Sequence, residues 1–145
     1  MRISKDDYYL GIARAVAMRS TCIRRQYGAV LVKHDEIIAT GYNGAARGVQ
    51  DCFQRGSCWR EANNVPHGEQ YEKCLAVHAE QNAIISASRA EMIGSTLYLV
   101  GYDVLGFDKR IEIIDPKPCL ICSRMILNAG IAKIINNKGV LIYDD

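Results

Sequence analysis

No apolar run in the 145 residues approaches the ~20 needed to cross a bilayer. The opening stretch, MRISKDDYYLG, lacks the apolar core and cleavage pattern of a signal peptide. These two absences predict a cytoplasmic protein with no membrane partner. Charge of one sign is scarce as well. The formal net charge is +2 and the pI about 8.2, whereas a dedicated nucleic-acid binder carries a domain pI above ~9 or a clustered basic face. No nucleic-acid partner is therefore expected. Internal repeats, low-complexity tracts and linker-like stretches are also missing, and the length suits one domain over 1–145. With 49% hydrophobic and 23% charged residues, the composition is that of an ordinary globular chain.

Histidine is rare too, at three residues, but cysteine is not, at six. In a chain with no export signal, cysteines point to metal ligation or catalysis before disulfides. Cys119 and Cys122 form a close pair, Cys52, Cys58 and Cys74 fall in a polar segment, and Cys22 stands apart.

Along the chain, Ser4 as N-cap and Asp6 and Asp7 in the first turn precede apolar residues at helical spacing, predicting a helix over 5–19. YGAVLVK (27–33), a short HDE turn and IIATGY (37–42) read as a β-hairpin. Residues 43–74 show no period, and about 49–74 form a Cys/His-rich insertion; a loop of that length is usually functional or tied down. A second helix is expected from about 75 to 89 and a buried strand at 96–100, followed by an irregular connection over 101–117. Pro118 opens a third helix, CLICSRMILNA, that stops at Gly130. Strands at 131–136 and 139–144 close the chain. The order α-β-β-α-β-α-β-β predicts an α/β fold, a mixed sheet covered by helices on its faces.

His78 alone would read as an ordinary helix residue. The Cys119-x-x-Cys122 pair alone could be half a zinc ribbon, a redox dithiol or two small buried residues. Three details bear on the choice. The pair opens a helix, where free N–H groups and the dipole favour thiolate and metal. It comes late in the chain, unlike a thioredoxin-type dithiol. No second CxxC completes a ribbon. His78 near the start of one helix and Cys119 and Cys122 at the start of the next supply three zinc ligands and leave a fourth tetrahedral position for water, the pattern of a catalytic site. Glu80, two residues on, is placed to carry the proton of that water.

HAE at 78–80 with PCLIC at 118–122 resembles the signature of the zinc-dependent cytidine and deoxycytidylate deaminase superfamily. RSTCIRRQYGAVLVK (19–33), ATGYNGAARG (39–48), CLAVHAEQNAIISA (74–87) and PCLICSRMILNAGIAKII (118–135) are similar to bacterial deoxycytidylate deaminases. The resemblance implies a cytidine deaminase-like fold, a mixed five-stranded sheet sandwiched by helices in three α/β/α layers. It also implies a catalytic zinc on His78, Cys119 and Cys122 that lowers the pKa of water toward ~7. The expected reaction is hydrolysis of dCMP to dUMP at C4, with Glu80 taking the water proton, delivering it to the ring nitrogen, and later protonating the departing ammonia. By the same resemblance Asn43, in GYNG, contacts the sugar, and Arg24 takes the 5′-phosphate, with Arg25 and Arg19 as neighbours able to do so. From the residues alone, Asn43 reads equally as an Asn-Gly turn and the arginines as a solvated basic turn. Tyr27 stands where the family motif usually has valine.

Related deoxycytidylate deaminases carry a structural zinc in the Cys/His-rich segment, which implies a second site on Cys52, Cys58, His67 and Cys74, with Cys22 a further candidate. The family further implies a dimer or hexamer, activation by deoxycytidine triphosphate (dCTP) with magnesium, and inhibition by thymidine triphosphate (dTTP). Other readings are a deaminase of cytidine, guanine, a riboflavin precursor or tRNA adenosine, and a non-catalytic competence-related zinc protein. Residues 101–117 are longer than in the shortest family members and would border the site, so they bear on substrate choice.

Overall fold

The computed structural model describes residues 1–66, 74–106 and 109–141. Its first helix, α1 (Lys5–Ala17), starts as expected: Ser4 Oγ accepts from the Asp7 amide, and Asp6 and Asp7 sit in the first turn. Strands β1 (Arg25–Lys33) and β2 (Glu36–Tyr42) form the predicted hairpin. His34 and Asp35 both take positive φ, 52° and 60°, which gives the turn its left-handed pair of residues.

The segment predicted as one irregular insertion is built from short pieces: β3 (Gly44–Ala45), α2 (Cys52–Arg55), α3 (Trp59–Ala62) and β4 (Ala76–Val77). The second helix is shorter than its apolar pattern suggested. Residues 75–77 do not open it, because Ala76 and Val77 pair antiparallel with Ala45 and Gly44. Helix α4 (Ala79–Ile85) begins only after His78, and a separate turn, α5 (Arg89–Met92), comes next under its own Ser88 cap.

Strand β5 (Thr96–Val104) runs longer than expected, and the connection after it returns as β6 (Arg110–Glu112), pairing Tyr102 with Glu112 and Val104 with Arg110. Helix α6 (Leu120–Ala129) has Cys119 as its N-cap and ends on Gly130 at φ 82°. Strands β7 (Lys133–Asn136) and β8 (Gly139–Leu141) complete the described chain.

The sheet order is β2-β1-β5-β7-β8, with β6 added to β5 beyond that five-strand path. Strands β5 and β7 are parallel and the other pairs antiparallel, so the sheet is mixed as predicted. Alternation along the strands divides the core between its two faces. Val30, Val32, Tyr98, Val100 and Ile135 face α1. Ala29, Leu31, Leu97, Leu99 and Ile134 face α4, α5 and α6. Two glycines set how closely the helices approach. A Cβ on Gly28 would lie 2.1 Å from the Ala13 carbonyl oxygen of α1, and one on Gly41 would lie 2.3 Å from that of Ala79 in α4. Both helices therefore rest directly on bare backbone, one on each face. Leu97 and Leu99 at the centre are essentially fully buried, and truncating either to alanine would cost about 2–5 kcal/mol. Among the described residues no helix is long and apolar enough to cross a membrane.

Candidate active site and metal centre

Both halves of the predicted site lie at helix starts on the same face of the sheet. His78 is the N-cap residue of α4, and its backbone amide donates to the Gln81 side chain at 2.9 Å. Cys119 is the N-cap of α6, its sulfur accepting from the Cys122 amide at 3.4 Å. Gly41 lets α4 settle close against β2, which brings its first turn toward α6.

His78 Nδ1 lies 3.2 Å from Cys122 Sγ and 3.6 Å from Cys119 Sγ, and the ligand atoms of all three residues fall within 4.8 Å of one another. Zinc bonds of about 2.0–2.3 Å in tetrahedral geometry require ligand atoms roughly 3.3–3.8 Å apart, so the three residues fit such an ion with little movement. Among the described residues no fourth side chain joins them. Cys122 is fully buried; burial first, and then the charges of Glu80 and Cys119, push its thiol pKa upward. Held by a metal cation, this thiol would be deprotonated, as metal-ligating cysteines are.

Glu80 is 5% exposed. Burial raises its pKa above the usual carboxylate range, opposed by its backbone hydrogen bond, by His78 and by a hydrogen bond from Cys122. A buried carboxyl touching a ligand sulfur can hold or release a proton beside the metal position.

Asn43 is nearly buried and bound to the start of β1: its Oδ1 accepts from Ser20 Oγ at 2.7 Å and from the Tyr27 amide at 2.8 Å, while its Nδ2 donates to the Arg25 carbonyl at 2.9 Å. Its amide organises the strand ends beneath the site and retains one hydrogen. Arg24 pairs with Glu61 of α3 at 2.6 Å, both half-exposed, and Arg25 pairs with Asp103 at 3.1 Å; Arg19 is exposed. Tyr27 lies across β5: a Cβ on its partner Gly101 would come within 2.5 Å of the Tyr27 ring and 3.3 Å of Ile113 Cδ1. The bulk gained over valine is thus accommodated by a glycine opposite. Burial raises the pKa of the Tyr27 phenol, opposed by the nearby Arg25 guanidinium, and Glu80 lies close enough for its charge to raise it further.

The other predicted ligands are more scattered. Cys52 opens α2, Cys58 is the buried N-cap of α3, Cys74 lies half-buried just ahead of β4, and His67 lies outside the described residues. Cys74 is therefore not on the helix that carries His78. Burial raises the Cys52 pKa, and the charges of Cys22, Cys58 and Cys74 raise it further, so Cys22 belongs to this neighbourhood as well. Among the described residues these thiols do not form a second group as close as the His78 cluster.

A His/Cys/Cys centre with an open fourth position and a buried carboxyl beside it defines a metal-dependent hydrolytic enzyme. Comparison with known proteins makes the class specific. The family model of the cytidine and deoxycytidylate deaminase zinc-binding region matches residues 3–138, and the chain belongs to that family. It is 38% identical over 138 residues to deoxycytidylate deaminase of Mycobacterium phage D29, covering 92% of this chain and 94% of the relative. It is 37% identical over 134 residues to deoxycytidylate deaminase of Schizosaccharomyces pombe, covering 92% of this chain but 37% of that longer protein. The crystal structure of dCMP deaminase from the cyanophage S-TIM5 in complex with dCMP and dUMP matches at a TM-score of 0.64 and 26% identity, over 94% of this chain and 82% of that one. The likeness thus reaches phage and yeast relatives and is not confined to bacterial enzymes.

Proposed function

We propose that the chain hydrolyses dCMP to dUMP, releasing ammonia. The observation that carries this reading is the pairing of the His78, Cys119 and Cys122 cluster with buried Glu80, in a chain that aligns along nearly the whole of a phage deoxycytidylate deaminase. When bound, zinc supplies a Lewis acid that lowers the pKa of water at the fourth position. His78, Cys119 and Cys122 would hold it there. Glu80 takes one proton of the attacking water and gives it to the ring nitrogen next to C4; it then takes the proton of the new C4 hydroxyl and gives it to the amine as the C4–N bond breaks and the C4 carbonyl forms. Water is consumed and ammonia leaves, so the atoms balance. Burial, which raises the Glu80 pKa above its ordinary value, suits the group to carrying a proton between water and base.

Arg24 is our choice for the 5′-phosphate, exchanging Glu61 for the substrate, and the remaining amide hydrogen of Asn43 for a sugar oxygen. Residues 1–145 make one deaminase unit. A second, structural zinc would be held by thiols from the set Cys22, Cys52, Cys58 and Cys74, with His67 the remaining candidate; Cys52 lies close enough to the other three for their charges to raise its pKa, which supports the site. Leu120, Ile121 and Leu127 are exposed along α6, which supports a homo-oligomer. Regulation by dCTP with magnesium and by dTTP rests on the family resemblance alone, as does a cytoplasmic location.

The test is ammonia release from a panel of dCMP, CMP, deoxycytidine, cytidine, guanine and adenosine, with metal analysis of the same preparation. The reading expects dCMP to give the highest kcat/KM. Faster turnover of free deoxycytidine than of its monophosphate would remove the phosphate from recognition.

A further inference from the structure

The strap between β6 and α6 delivers Cys119 to the metal centre, and its fixed points lie on the opposite side of α6 in sequence. Asn136, at the end of β7, is 1% exposed. Its Nδ2 donates to Asp115 Oδ1 and to the Pro116 carbonyl, both at 2.8 Å, and its Oδ1 accepts from the Lys138 amide at 2.8 Å. Asn137 continues the clamp. Its Oδ1 accepts from the Asp115 amide at 2.8 Å, and its Nδ2 donates to the Ile113 carbonyl at 2.8 Å and to Glu112 Oε2 at 3.1 Å. Two adjacent side chains thus bind backbone or side chain at Glu112, Ile113, Asp115 and Pro116. Asp115 is held at φ 58°, a left-handed conformation in which a non-glycine residue needs local support.

The segment beyond the clamp is stiff. Between Asp115 and Cys119 lie Pro116, Lys117 and Pro118. Each proline ring fixes its own φ, and each proline also restricts the residue before it, so Lys117 is limited by Pro118. A displacement at Asp115 therefore passes to Cys119 with little absorbed on the way. Cys122, by contrast, is buried within α6 and takes its place from helix packing. Cys119 is an exposed N-cap with no such packing, so its approach to His78 depends on the strap.

We propose that Asn136 and Asn137 are positioning residues for the metal centre, clamping the strap so that Cys119 reaches His78 and Cys122 at binding distance. The inference rests on the metal and not on the choice of substrate, so it stands or falls independently of dCMP turnover.

The test uses purified zinc-loaded protein and the variants Asn136→Ser and Asn137→Ser. Zinc release to a chromogenic chelator is followed, and the phase that coincides with loss of activity reports the catalytic centre. Visible spectra of the cobalt-substituted proteins report the thiolate ligands directly. Tyr98→Phe is the comparison variant: it loses a hydrogen bond to Asp6 on the α1 face, away from the metal. We expect release to accelerate roughly tenfold or more in Asn136→Ser, less in Asn137→Ser, and not in Tyr98→Phe, with an altered cobalt–thiolate band in the asparagine variants. If Asn136→Ser does not fold, Asn137→Ser decides by the same readouts. Asparagine variants that lose melting temperature but keep wild-type zinc release and cobalt spectra would overturn the proposal and make the clamp a matter of stability alone.

Discussion

Two groups of cysteines in this chain are organised in different ways, and the contrast separates a preformed metal site from one that the protein only prepares. Cys119 and Cys122 meet His78 at ligating distance because each residue sits at or near the start of a helix packed on the sheet. Sheet, glycine contacts and helix caps hold that geometry, with the asparagine clamp on the strap ahead of Cys119. Cys22, Cys52, Cys58 and Cys74 come instead from a turn, two four-residue helices and the residue ahead of a two-residue strand. Helix α2 buries no residue at all. The first group can leave a position open for chemistry, since its helices are packed on the sheet core. The second has little apolar surface of its own, and a structural metal would contribute much of its folding energy.

The most direct challenge to this contrast is to remove a ligand from each group. Cys122→Ser should lose the catalytic zinc and reduce ammonia release to background while the fold, judged by circular dichroism, persists. Cys52→Ser should do the reverse: metal content falls by one, the melting temperature drops by roughly 5–15 °C, and kcat at 25 °C stays within a few-fold. A Cys52→Ser protein with unchanged metal content and melting temperature would return the second group to ordinary thiols.

Within the first group, Glu80→Gln separates holding the metal from moving the proton. The amide keeps the shape but cannot shuttle protons, so kcat should fall by about 10²–10⁴ while zinc stoichiometry stays that of wild type. Comparable activity in this variant would take Glu80 out of the mechanism.

The same contrast explains which features are legible in the sequence. The candidate metal ligands are legible because helix starts leave strong local marks: a histidine with a glutamate two residues on, and a proline before a Cys-x-x-Cys pair. The hairpin of β1 and β2 and the end of α6 at Gly130 are legible for the same reason. The pattern overextends helix α4 because Leu75, Ala76 and Val77 continue its apolar spacing, and only their partner strand, Gly44–Ala45, reveals them as extended. Residues 101–117 look irregular in sequence because the return of β6 onto β5 has no two-residue turn signal; five residues separate the strands, Gly106 among them at φ 121°. Asn136 and Asn137 resemble a plain turn. Their clamp on the strap joins residues about twenty positions apart, and no local pattern carries that information. Asn43 is expected at the substrate, yet most of its amide is bound to the protein, a commitment visible only once Ser20 and the β1 backbone are in place.

The smallest predicted effect concerns the scaffold that carries the first group. Glu112 joins three parts of it: Arg14 of α1 bonds its carboxylate, as does Asn137 beyond β7, and Glu112 itself lies in β6. Burial pushes its pKa up, but the Arg14 bond, the Asn137 bond, the Arg14 charge and the Tyr102 bond together hold it below the ordinary value. A carboxylate whose pKa is depressed by folding stabilises the native state fully above its unfolded pKa of about 4.3, and that contribution is lost as pH falls through the lower folded value. The carboxylate is partly exposed, so solvent screens the pair and the effect is modest. Melting temperatures measured from pH 6 down to pH 3 should fall for the wild type, and less steeply for Glu112→Gln, whose curve starts lower and converges with it at the acid end. Parallel curves would mean that the Arg14–Glu112 pair forms without contributing to stability, leaving the asparagine clamp as the strap's principal support.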